Sequence, residues 1–63
     1  MPAYLELAIE GGRRAYIDAS QIIGLVTSPG HQLFDKGTKE QPIMLLTRAG
    51  EALNIVGESI GSI

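Results

Sequence analysis

The stretch "AYLELAIEGGRRAYID", residues 3–18, decides the reading of the fold. Leu5, Leu7 and Ile9 recur at every second position, while Tyr4, Glu6, Ala8 and Glu10 take the positions between them. Side chains alternate across a strand with a period of two, so this spacing predicts a half-buried strand. Gly11 and Gly12 break the pattern, and glycine admits the positive φ that a tight turn demands. Beyond them Ala15 and Ile17 fall on one face, with Arg14, Tyr16 and Asp18 on the other. The whole stretch therefore reads as an antiparallel hairpin.

Working outward, "DASQ" at 18–21 offers Asp18 as the cap of a short helical turn, with Gln21 placed to reach back in the manner of a capping box. "QIIGLVT" at 21–27 is a β-branched strand whose Gly24 marks a bulge, a bend or a close backbone approach. Ser28, Pro29 and Gly30 end it. "IMLLT" at 43–47 and "EALNIV" at 51–56, joined by "RAG", form a second hairpin. The tail "GESIGSI" is too rich in glycine to be read as a helix, and its Ile60 and Ile63 are expected to cover a core edge or a neighbouring subunit. These elements predict a single all-β domain over residues 1–63. It is a small antiparallel sheet or partly open barrel of about five short strands, with two hairpins and one long loop.

A chain of 63 residues buries a modest core, and small domains are commonly reinforced by disulfides, metals or association. With no cysteine, disulfides and thiolate zinc sites are excluded, and His31 is the only imidazole. Association remains. "IMLLT" places Ile43 and Leu45 on one side and Met44 and Leu46 on the other, apolar on both, which predicts a homo-oligomer; the alternative is a central strand sandwiched within one subunit. A composition 44% apolar and only 5% aromatic is that of a globular chain. The net charge of −2 argues against a protein that coats nucleic acid or an anionic membrane. No apolar run approaches the roughly 20 residues of a membrane helix, and no signal-peptide pattern opens the chain. The expected location is the cytoplasm.

Chemistry gathers in "SPGHQLFDKGTKEQP", residues 28–42, which holds the only His, the only Phe and both Lys. Connections longer than about 12 residues are uncommon in compact domains and usually carry function or disorder. His31 lies near Ser28, but no orienting acid completes a nucleophilic site, and no phosphate-loop, zinc or dinucleotide pattern occurs. Asp35 and Glu40 are a carboxylate pair of a kind that seven acids make nearly inevitable. The residues fit binding better than catalysis, and no cofactor is implied. Gly30, Gly37 and Thr38 offer donors, Lys36 and Lys39 add positive charge, and His31 and Phe34 can stack on a flat ring. Arg13 and Arg14 can clamp a phosphate, with Tyr16 on the face of Arg14.

Each feature also has a structural explanation. Phe34 with Leu33 would tuck the loop against the core, the commoner fate of a lone loop phenylalanine. Lys36 and Lys39 would be solubilising charges balanced by Asp35 and Glu40, and the arginine pair a solvated turn beside Glu10.

The order "AYID", "IIGLV", "IMLLTRAGEALNIVGES" resembles the FlbD family of small flagellar proteins. The likeness lies in the early glycine turn, the late turn glycine Gly50 and the ending Val56, Gly57, Glu58, Ser59. The long loop holding His31 and Phe34 departs from that family's shorter link. This resemblance implies a regulatory or scaffolding protein whose partner is another protein. A very short, cysteine-free, oligomeric β-protein without a catalytic constellation also resembles the small phage-encoded anti-defence sponge proteins. That likeness implies sequestration, without cleavage, of a cyclic or ADP-ribose-derived nucleotide in pockets between subunits. The residues it would use are Arg13, Arg14, Tyr16, His31, Phe34, Lys36 and Lys39.

Overall fold

A computed structural model describes residues 4–63; Ala3, read above as part of the first strand, lies with Met1 and Pro2 outside the described residues. Five strands follow in order: β1 (Tyr4–Ala8), β2 (Arg14–Asp18), β3 (Ile22–Val26), β4 (Ile43–Thr47) and β5 (Ala52–Ile55). Three single 3-10 turns, Glu10–Gly12, Ala19–Gln21 and Ile60–Ser62, complete the regular structure, and no α-helix occurs among the described residues. None of the described helical segments is long and apolar enough to cross a membrane.

The first hairpin forms as its alternation predicts. Leu5 faces Ile17 and Leu7 faces Ala15 on the apolar side, while Glu6 faces Tyr16 and Ala8 faces Arg14 on the other. Gly11 and Gly12 both take positive φ, 79° and 71°, where a side chain would be strained. The second hairpin turns through Gly50 at φ 83°, closed by Gly50 N–H donating to the Thr47 carbonyl at 3.0 Å. Gly24 lies where the β3–β4 register shifts, so it does mark a bulge.

The expected single sheet or barrel is not formed. The strands divide into a two-stranded sheet β1–β2 and a three-stranded sheet in the order β3–β4–β5, all antiparallel. The break falls between β2 and β3. Asp18 accepts from the Ser20 N–H at 3.0 Å and the Ser20 hydroxyl at 2.9 Å, and the capped 3-10 turn redirects the chain away from the β2 ladder. Asp18 is thus the cap, but its partner is Ser20, and Gln21 does not close a capping box. The sheets meet at the end of β1, where Ile9 bridges Ile55 and Val56 N–H donates to the Ala8 carbonyl at 3.1 Å.

Leu7, Ile43, Leu45 and Ile55 form the buried core, with Leu5, Ile17, Ile22, Leu25, Leu53, Ile60 and Ile63 packed around it. The two tail isoleucines therefore cover a core edge of their own chain. The tail does make one turn, held by a capping box in which Ser59 and Ser62 satisfy each other's backbone. In β4 the Ile43 and Leu45 side is fully buried within the chain, whereas Met44 is exposed and Leu46 half-buried on the outer side.

Segment 27–42 is fastened along its length. Gln32 N–H donates to Asp35 Oδ2 at 2.9 Å, Gly61 N–H donates to the Leu33 carbonyl at 3.0 Å, and Lys36 bridges Ser59. Gly37 donates to the Glu58 carbonyl and accepts from Gly57 N–H, both at 2.8 Å. The tuck expected of Leu33 and Phe34 does not occur: they are 67% and 78% exposed, because the loop is held by backbone bonds to the tail and not by those side chains.

Candidate functional site

Residues 55–57 organise the site. Their backbone reaches the end of β1 on one side, through Ile9 and Ala8, and Gly37 on the other. This brings two polar turns beside Val56. One is the glycine turn of the first hairpin, which carries Arg13. The other is the turn at 38–41, closed by Thr38 N–H to the Gln41 carbonyl and by Gln41 N–H to Thr38 Oγ1, which carries Lys39. Between them lies a cleft of about 640 Å³ lined by Glu10, Gly11, Arg13, Lys39 and Val56. A smaller hollow of about 200 Å³ shares Gly11, Arg13 and Val56 with it and adds Arg14.

Among the described residues the Arg13 side chain makes one hydrogen bond, from Nε to the Glu10 carbonyl at 3.4 Å, and Lys39 forms no ion pair. Two cations thus line one cleft with a single carboxylate, that of Glu10. A pair of this kind can hold an anionic oxygen cluster from two directions, the arginine by its planar fork and the lysine as a point charge.

The remaining candidates go elsewhere. Arg14 pairs with Glu6 Oε2 at 3.3 Å, and Tyr16 donates its hydroxyl to the same oxygen at 3.3 Å. These two do share a face, but around an acid that the sequence reading did not single out. The hairpin register centred on Gly11 carries that signal, since it sets Glu6 opposite Tyr16. His31 is half-buried and its Nε2 lies 3.0 Å from the Asp35 carbonyl, so the imidazole serves the loop's own geometry. Phe34 stands exposed and Lys36 joins the tail by its backbone, and none of His31, Phe34 or Lys36 lines the cleft. Of the balancing acids, Asp35 caps Gln32 and pairs with neither lysine. Glu10, Gly11 and Val56 are the lining residues that the sequence did not mark as part of a site. Val56 stood in the sequence only as the end of the strand "EALNIV" and the start of the "VGES" ending.

Compared with models of protein families, with curated proteins and with solved structures, the chain finds no match in any of the three. The fold defines a class, a small β-protein of two antiparallel sheets. The likenesses to the FlbD family and to the nucleotide sponges rest on the sequence features that carried them.

Proposed function

We propose that this chain is a non-catalytic, cytoplasmic binding protein that sequesters a small anionic nucleotide-type ligand, cyclic or ADP-ribose-derived, as a homo-oligomer. The observation that supports this reading is the cleft into which Arg13 and Lys39 converge from two separate turns. The site narrows to those two residues, with Arg14 beside them. The neighbouring subunit supplies the ring-stacking wall that one 63-residue chain lacks. Native mass spectrometry with cyclic and ADP-ribose-type nucleotides tests it. The expected result is ligand mass gained in whole-number steps and released unchanged on denaturation. Arg13→Ala and Lys39→Ala should each weaken uptake by about tenfold or more, the usual cost of losing one charge-assisted contact. Uptake unchanged in both variants overturns the site.

A second reading, an FlbD-like regulatory or scaffolding role, draws support from Phe34 and Leu33, exposed together on a fastened loop. Exposed aromatic anchors on rigid supports are common centres of protein recognition. Under this reading Phe34→Ser abolishes binding of a protein partner, leaves the fold intact and has no effect on nucleotide uptake.

A further inference from the structure

We infer that a second copy of this chain pairs along the free edge of β3, joining the two three-stranded sheets into one of six strands. This rests on the homo-oligomer of the preceding reading and names one contact within it, at the edge of the sheet away from the Arg13–Lys39 cleft. β3 is an end strand, and among the described residues no hydrogen bond reaches 23–26 from any segment but β4. The opposite edge of the same sheet is met by the chain itself at one end, where the end of β1 and Gly37 bond residues 55–57. An uncovered edge presents unpaired N–H and C=O groups, which fit another strand.

Soluble proteins blunt such edges with charges or proline. β2, an end strand of the other sheet, carries Arg14 and Asp18. β3 carries neither a charge nor a proline, and its Ile23 and Val26 are 60% and 49% exposed. The occupant is argued from self-complementarity. In an antiparallel pair with its two-fold axis at Leu25, the inner-face Leu25 meets Leu25 of the partner subunit. On the outer face Gly24 meets Val26 of the partner subunit, the small residue leaving room for the branched one. No like charges oppose each other in this register, because β3 carries no charged residue. The size of the core adds a motive, because among the described residues only four side chains are fully buried.

The test is native mass spectrometry and light scattering of the full chain beside the Ile23→Lys/Val26→Lys variant, with circular dichroism as the check on folding. Both positions are exposed, so the lysines leave the monomer fold in place. The wild type is expected at an even multiple of the 6.7 kDa chain, and the variant at half that mass with an unchanged spectrum. An oligomer of unchanged mass in the folded variant overturns the edge pairing and leaves the homo-oligomer standing. A wild type that stays a single chain at millimolar concentration overturns both. Amide exchange on the wild type needs no variant. Protection of the 24–26 amides equal to that of β4 supports the pairing, and rapid exchange of those that do not bond β4 overturns it.

Discussion

Gly37→Ala is the sharpest test of how the loop is held. Gly37 is buried, and a Cβ built on it would land on the Ile55 carbonyl oxygen, with the Ile43 nitrogen at 3.1 Å. Both obstacles are backbone of core strands, so neither can swing aside as a side-chain tip would. The loop must lift instead. That breaks the two 2.8 Å bonds joining Gly37 to Glu58 and Gly57. Each is worth about 1 kcal/mol when cleanly lost and about 1–3 when a buried group is left unpaired, so the expected loss is about 3 kcal/mol or more. For a domain of this size that lowers Tm by about 12–24 °C. Gly30→Ala is the control. Gly30 has φ 83° and nothing within contact of an added Cβ, so its cost is the backbone penalty alone, about 1–2 kcal/mol. Thermal and urea unfolding followed by circular dichroism measures both. A Gly37→Ala loss below about 1 kcal/mol, or no larger than that of Gly30→Ala, refutes the clamp. Because the clamp also sets the turn carrying Lys39, Gly37→Ala should weaken ligand uptake in parallel.

Leu45→Ala should cost about 2–5 kcal/mol, since the side chain is wholly buried, whereas Met44→Ala beside it should cost under about 1. Equal effects in urea titrations would contradict the facing of β4. Arg14→Ala should weaken nucleotide uptake by only a fewfold where Arg13→Ala costs about tenfold, because the Arg14 guanidinium is shared with Glu6. The same substitution changes stability by under about 1 kcal/mol, as expected of a half-exposed pair; calorimetric titration beside thermal melts separates the two effects.

Much of the local structure was legible because it depends on near neighbours. The hairpin over 4–18 follows from alternation plus two glycines, and the turn at Gly50 and the bulge at Gly24 follow from glycine's place between aliphatic runs. The site was less legible. Arg13 and Lys39 stand far apart in the chain, and nothing in either segment says that residues 55–57 will bind both turns. His31, Phe34 and Lys36 looked like part of the same site because they share a loop with Lys39. Hydrogen bonds to the tail turn that loop so that only Lys39 reaches the cleft.

From residue order alone come the five strands, the inward face of the first hairpin and the turns, since a period of two and the freedom of glycine act over a few residues. Only the tertiary structure decided that the strands divide into two sheets, that β4 buries Ile43 and Leu45 while Met44 is left outside, and that Gly37 lies against β5. Those outcomes depend on which distant backbone groups find each other and on how much room remains between them. Both are settled by closing the whole chain, and neither is encoded in a local pattern.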